Sequence, residues 1–169
     1  MKSTCRRADG FTLIELMITL VLIGIVSMTA LPLLEVVSTK HREAELKLAL
    51  RTIRSALDAY KAASDAGVLP KGAGASGYPG ALEDLTEALE ANRPASPGIG
   101  QRELPQRIVF LRQLPRDPFY ADPTAPAAQT WNTRSYASHP DDPQPGPDVF
   151  DISSKSPRTA LDGTAYARW

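Results

Sequence analysis

The chain has 169 residues, enough for one small domain and an accessory segment. Its 19 basic residues balance 19 acidic ones, which argues against a nucleic-acid binder that works through bulk charge. The single cysteine, Cys5, excludes an internal disulfide bond, and two histidines leave few ligands for zinc. Of the 15 prolines, all but Pro32 lie at or after residue 70, so a half nearly free of helix breakers precedes a turn-rich half.

Residues 16–34 form an uncharged and mostly apolar stretch of 19 residues. A helix of this length, at about 1.5 Å per residue, is just long enough to cross a hydrocarbon core of about 30 Å. A buried core helix and a cleaved secretory signal are the alternatives, but the stretch is long for a secretory signal and Met28 two residues before Ala30 makes a poor cleavage site. We therefore expect a retained membrane-spanning helix over residues 11–34. Basic residues flank it on both sides, so charge alone leaves its orientation open.

Residues 10–17 read GFTLIELM, and a short basic leader precedes them. This pattern resembles the processing site of type IV prepilins and type II secretion pseudopilins. The resemblance implies that a prepilin peptidase removes residues 1–10 on the cytoplasmic side, cutting between Gly10 and Phe11. It also implies N-methylation of the new Phe11 amine. Loss of the leader would remove Cys5 and leave a mature chain without cysteine.

Glu15 lies four residues after Phe11, at the start of the apolar stretch. A carboxylate inside a bilayer helix costs about 2.5–3.5 kcal/mol on insertion scales, so it needs a partner, although a place among the lipid headgroups is the simple alternative. The resemblance implies that the partner is the Phe11 amine of a neighbouring subunit, which would set the register of a filament. Similar proteins also carry a proline at the place of Pro32, where the helix often loosens, because proline removes one helical hydrogen bond.

Residues 35–66 are predicted to form an amphipathic helix that Gly67 ends. Steps of four and three residues place five apolar side chains on one face, which we expect to pack on the head: Leu46, Leu50, Ile53, Leu57 and Tyr60. A short coiled coil is the alternative. Oppositely charged side chains at i,i+4 spacing predict three ion pairs on this helix: Glu43–Lys47, Arg54–Asp58 and Lys61–Asp65.

Residues 67–169 are predicted to form a small head domain. The glycines of residues 71–77 match a nucleotide-binding pattern by spacing, but the prolines around them favour a flexible linker. Beyond this linker the pattern predicts a helix at residues 81–91, a turn at 114–119, and strands at 107–111, 134–138 and 148–153. Short strands with close turns suggest an antiparallel sheet, so the predicted fold class is α+β: a long N-terminal helix packed on a small antiparallel sheet, as in type IV pilin-like proteins.

Three later elements resemble the major pseudopilins of the protein G type: residues 77–79 (GYP), residues 114–119 (LPRDPF), and the stretch from Asp148 to Trp169. Many proteins of this type bind calcium in the C-terminal loop, and calcium needs six to eight oxygen ligands. Residues 153–162 of this chain offer one carboxylate, Asp162, beside the cations Lys155 and Arg158. We therefore expect no calcium and no other cofactor. Hydrogen bonds among the serines, or a pair between Arg158 and Asp162, could hold the loop instead.

The expected function is that of a structural subunit without enzymatic activity. It would lie in the bacterial inner membrane with its head in the periplasm and polymerise into the pseudopilus of a type II secretion system. Its expected partners are further copies of the chain, minor pseudopilins, the prepilin peptidase and the inner-membrane secretion platform. The alternatives are a type IV pilin, a minor pseudopilin and a signal-anchored periplasmic binding or adaptor protein.

Overall fold

The computed structural model describes residues 10–72, 74–92 and 107–169, and the side chains of residues 29–32 lie outside this description. Most of the predicted leader, residues 1–9, is also outside it. The chain divides into two compact units, Met1–His41 and Arg42–Trp169. A single long helix, α1 (Leu13–Asp65), is followed by two small antiparallel sheets. The fold is therefore α+β and consistent with a pilin-like arrangement, as the sequence predicts.

Helix α1 ends where the glycine after it predicts. Gly67 has φ +72°, in the left-handed region that glycine adopts without strain. Its N–H donates to the Ser64 oxygen (3.1 Å), and the Val68 N–H donates to the Ala63 oxygen (3.0 Å). These two bonds are those of a Schellman motif, which satisfies carbonyls that the helix would otherwise leave unpaired.

The two sheets each contain two antiparallel strands. In the first, β1 (Leu89–Glu90) pairs with β2 (Arg107–Ile108). In the second, β3 (Trp131–Arg134) pairs with β4 (Asp151–Ser154). Among the described residues this unit also contains three short 3₁₀ helices, at Leu82–Leu85, Ala127–Thr130 and Tyr166–Arg168.

The helix predicted at residues 81–91 is wrong in length and type. A single 3₁₀ turn, Leu82–Leu85, forms there, and the chain then becomes extended as β1. The main-chain oxygen of Leu85 accepts hydrogen bonds from Phe110 (3.2 Å) and Leu111 (2.8 Å). In a continuing α-helix the Leu85 oxygen would accept a hydrogen bond from the N–H four residues later. Here the N–H groups of a distant segment occupy this oxygen instead.

The predicted strands differ from the observed ones in position. The strand predicted at residues 107–111 ends after two residues, the one at 134–138 lies upstream as β3, and the one at 148–153 begins later as β4. The carboxylate of Asp148 explains the shift of β3, since it accepts hydrogen bonds from the Ser135 hydroxyl (2.6 Å) and the Tyr136 N–H (2.9 Å). These bonds turn the chain where the sequence predicts an extended segment.

The hydrophobic core of the Arg42–Trp169 unit forms on the predicted stripe of α1. Leu46, Leu50, Ile53 and Leu57 are buried, and Tyr60 packs against them half-buried. The residues that cover this stripe come from nearly every later element: Leu82, Leu85, Leu111, Leu114, Trp131, Val149, Ile152, Ala160 and Tyr166. The prediction that this face packs on the head is confirmed.

We expect Ile53→Ala to lower the free energy of unfolding by about 2–5 kcal/mol, because it removes apolar contacts at the centre of the core and leaves a cavity. Leu48→Ala is the matched control, since Leu48 lies on the same helix with 67% of its surface exposed. Denaturant unfolding of the full chain in detergent, followed by the fluorescence of Trp131 and Trp169, gives both values. Equal losses in the two variants would contradict the assignment of the core.

Candidate functional site

The predicted processing junction is open to solvent. Gly10 and Phe11 precede the first turn of α1, and Phe11 is 80% exposed. A Cβ added to Gly10 would meet no atom within 4 Å. A protease can therefore reach the bond between the two residues without unfolding any helix.

Thr12 caps the helix that begins at this junction. Its hydroxyl oxygen accepts a hydrogen bond from the Glu15 N–H (3.3 Å), and its main-chain oxygen accepts from the Leu16 N–H (3.2 Å). Threonine followed three residues later by glutamate is the pattern of a capping box. Sequence reasoning missed this role for Thr12, although the spacing of Thr12 and Glu15 is visible in the sequence.

The side chain of Glu15 is exposed in the first turn of α1, where a negative charge interacts favourably with the helix dipole. Within the described part of the chain its carboxylate has no ion-pair partner. The predicted pairing with the Phe11 amine of a neighbour stays a prediction.

The helix beyond Glu15 presents an apolar surface on all sides. Its large side chains are 54–80% exposed from Leu16 to Met28, and the stretch is long and apolar enough to cross a membrane. The hydroxyls of Thr19 and Ser27 donate to the Leu16 and Ile23 oxygens (2.9 and 2.8 Å). The polar groups on this surface are thus satisfied inside the helix, as a lipid environment requires.

Pro32 lies within α1, whose helical assignment runs through this position. Its side chain is outside the description of the structure. The predicted loosening at Pro32 during assembly stays a prediction.

In the Arg42–Trp169 unit, charged side chains of α1 hold the C-terminal segment. Glu43 accepts hydrogen bonds from the Leu161 N–H (2.8 Å) and the Tyr166 hydroxyl (2.9 Å). The Lys47 ammonium lies 4.3 Å from the centre of the Trp169 ring, a cation–π contact. The predicted ion pair between Glu43 and Lys47 is not among the ion pairs of the described residues, and both side chains contact the C-terminal segment instead.

Arg54 bonds the C-terminal half of the unit through three hydrogen bonds. It donates to the Asp151 carboxylate (2.8 Å) and to the main-chain oxygens of Ile152 (3.0 Å) and Trp169 (2.6 Å). The expectation that Arg54 pairs with Asp58 is therefore wrong. The third predicted pair is confirmed, since Lys61 forms an ion pair with Asp65, whose pKa is lowered by hydrogen bonds from Lys61 and Lys71.

The C-terminal loop is held by serine hydroxyls, which confirms one of the two alternatives. The buried Ser154 hydroxyl donates to the buried Asp117 carboxylate and accepts from the Ser156 N–H (3.0 Å). The Ser156 hydroxyl oxygen in turn accepts from the Arg158 N–H (3.3 Å). Asp162 bonds the N–H and hydroxyl of Thr164 (2.9 and 2.6 Å).

No group of three or more histidine, cysteine, aspartate or glutamate side chains that could hold a metal ion occurs within residues 10–72, 74–92 and 107–169. The absence of a calcium site stays an expectation.

Two distant sequence elements meet beside β4. The Val149 N–H donates to the Pro79 oxygen (2.8 Å), and the Tyr78 ring packs edge-on against Phe150 (5.2 Å between centres). The segment 114–119 is joined to β3 by the Trp131 indole N–H, which donates to the Pro115 oxygen (2.9 Å). The three elements that carry the later resemblance thus form part of one packed unit.

The comparison with protein families gives one match: the model of the prokaryotic N-terminal methylation motif covers residues 5–31. The chain therefore carries a type IV pilin-like prepilin signal, which implies processing by a prepilin peptidase. With the exposed apolar helix, it indicates a membrane-anchored pilin-like protein. No curated protein and no solved structure matches the chain.

The bond between Tyr166 and Glu43 gives a pH-dependent prediction. Burial and the bond to Glu43 raise the pKa of Tyr166 from 10.0 to about 12. The folded state keeps the Tyr166 proton to a higher pH than the unfolded state does. The stability that the protonated hydroxyl contributes is therefore complete below pH 10 and is lost as the pH rises towards 12. We expect Tyr166→Phe to be less stable than the parent by about 1.5 kcal/mol at pH 8. The deficit should shrink as the pH approaches 12.

Denaturant unfolding between pH 8 and 12 measures both curves. Tyr60 and Tyr78, whose pKa values are also raised by burial, contribute equally to parent and variant and cancel in the difference. A deficit that stays constant with pH would contradict the assignment.

Proposed function

We propose that this protein is a structural subunit of the periplasmic pseudopilus of a type II secretion system, of the major, protein G type. One observation carries the proposal: an exposed, mostly apolar helix surface begins after an accessible Gly10–Phe11 junction that lies in a methylation motif. Such a surface is stable only in lipid or against other helices. Cleavage supplies a new amine at its tip, and polymerisation buries the surface.

Glu15 gives this packing a register. In a bundle of apolar helices a carboxylate is tolerated only when it is paired, and removal of one partner of a buried pair costs about 3–5 kcal/mol. Glu15 has no partner within its own described chain. The Phe11 amine of the next subunit is the partner in our proposal, so that only one axial offset between subunits pairs both charges.

The assignment to the secretion pseudopilins, rather than to the pilins, is supported by the later elements. Residues 77–79, residues 114–119 and the stretch from Asp148 to Trp169 resemble those of the protein G type and pack in one unit. In this proposal the subunit has no catalytic activity and needs no cofactor. It works with further copies, minor pseudopilins, the prepilin peptidase and the inner-membrane platform, with its head in the periplasm.

Mass spectrometry of the protein extracted from membranes tests the processing step. When the chain is expressed with a prepilin peptidase, we expect a mature N-terminus at methylated Phe11. Gly10→Leu should retain residues 1–10, although it should not disturb the fold, because a Cβ at this position meets no other atom. An intact Met1 in the parent chain would favour the signal-anchored adaptor.

Filament growth tests the role of Glu15. We expect Glu15→Gln to insert into the membrane normally and to reduce filament yield by at least about tenfold, since the neighbour's amine loses its counter-charge. Thr12→Ala is the control for helix capping, because it removes the cap at a cost of about 1 kcal/mol and keeps the carboxylate. Electron microscopy of sheared or overproduced filaments gives the yield. Normal filaments from Glu15→Gln would refute the pairing.

A further inference from the structure

The peptide group that joins Gly10 to Phe11 lies just outside helix α1. Residues 10–12 are not helical, and α1 begins at Leu13. The first main-chain hydrogen bond at this end is the one that the Thr12 oxygen accepts. Among the described residues no hydrogen bond reaches the Gly10 oxygen. The carbonyl group that a peptidase must attack is therefore free.

A helix start of this kind is not fixed by the helix itself. The first four N–H groups of an α-helix have no intrahelical partner, so they favour growth of the helix towards the N-terminus. If α1 began one turn earlier, the Ile14 N–H would bond the Gly10 oxygen. The Glu15 N–H would then bond the Phe11 oxygen. The bond to be cut would become part of the helix and would have to be unwound before cleavage.

The side chain of Thr12 opposes this extension. Its hydroxyl oxygen accepts a hydrogen bond from the Glu15 N–H (3.3 Å), which is the donor that an extended helix would give to Phe11. Tertiary contacts do not fix the start, since the exposed fractions are 80% for Phe11, 78% for Leu13 and 67% for Ile14. The cap is thus the interaction among the described residues that holds the helix start in place.

We propose that Thr12 is a positioning residue for leader removal: its cap holds the start of α1 at Leu13 and keeps the Gly10–Phe11 bond extended for the peptidase. This inference rests on the processing step of the proposed function. In that step the oxygen of water adds to the Gly10 carbonyl carbon, the C–N bond to Phe11 breaks, and the nitrogen takes up a proton. The products are a Gly10 carboxylate on the leader and a Phe11 ammonium group on the mature chain. Thr12 acts through the backbone and takes no part in the covalent step.

The rate at which a prepilin peptidase cuts the full chain in membranes tests the proposal. Thr12→Val removes the hydroxyl but keeps the size and branching of the side chain. Because loss of such a cap shifts the balance between two helix starts by about fivefold, we expect the initial rate to fall at least about threefold. Mass spectrometry of the N-terminus gives the rate. Long incubation brings every variant to completion, so the mature chain needed for filament comparisons still forms.

Two further variants separate the cap from other roles of a threonine hydroxyl. Thr12→Asn has no hydroxyl, but asparagine caps helices at least as well as threonine, so we expect the parental rate. Thr19→Val is the matched control. The Thr19 hydroxyl donates to the Leu16 oxygen inside α1 (2.9 Å), so its loss leaves the helix start unchanged and should leave the rate unchanged.

Amide hydrogen exchange of the uncut full chain in detergent, without peptidase, tests the structural step. We expect residues 11–15 to exchange more slowly in Thr12→Val than in Thr12→Asn, because an extended helix gives the Ile14 N–H a partner. Faster exchange in Thr12→Val would mean that the helix start frays instead of growing, which would overturn the proposal.

The cleavage rates also separate this inference from the proposed function. A parent chain that the peptidase does not cut overturns both. A parent chain that is cut, with Thr12→Val cut equally fast, overturns the role of the cap and leaves the processing step. Thr12→Asn that is cut as slowly as Thr12→Val assigns the effect to recognition of the threonine by the peptidase and also counts against the cap.

Discussion

Burial of one apolar stripe on α1 is the interaction on which the whole Arg42–Trp169 unit depends. Leu46, Ile53 and Leu57 are at most 1% exposed, whereas the strands that surround them are only two or four residues long. Strands this short are not stable alone, and a two-stranded sheet is marginal even when longer. Each fully buried aliphatic side chain contributes about 1.5–3 kcal/mol, so the helix supplies stability that the sheets cannot. The turn-rich half of the chain is folded against a helix surface.

The parts of this fold that could be predicted from sequence are those set by neighbouring residues. The stripe from Leu46 to Tyr60 follows from a 3.6-residue period, and the end of α1 follows from Gly67, whose positive φ closes a Schellman motif. The helix predicted at residues 81–91 fails for the opposite reason. Its leucine spacing is helical, but the Leu85 oxygen is taken by Phe110 and Leu111, which nothing in the local sequence reveals.

The same division holds for the candidate site. The Gly10–Phe11 junction and Glu15 are a contiguous motif, and the family comparison matches them. Arg54 looks like the partner of Asp58 at i,i+4 spacing, yet it bonds Asp151 and two carbonyl oxygens nearly a hundred residues away or more. An exposed i,i+4 pair contributes only a few tenths of a kcal/mol, so a less exposed acceptor set readily displaces it. Local charge spacing therefore predicts a side chain's partner poorly where long-range contacts offer it more hydrogen bonds.

Several charged side chains of α1 contact the C-terminal segment of the same copy, whereas Glu15 has no ion-pair partner among the described residues. Glu43, Lys47 and Arg54 all hold the C-terminal segment, and the loop that follows β4 closes through serine hydroxyls without a described metal cluster. Against this background Glu15 opposes a local rule, because its carboxylate borders a mostly apolar helix surface. Residues that violate the local rules of folding are found most often at functional sites. In the proposed filament, the Phe11 amine of an adjacent copy supplies the opposite charge for Glu15, so the assembled state compensates a cost that a single copy carries.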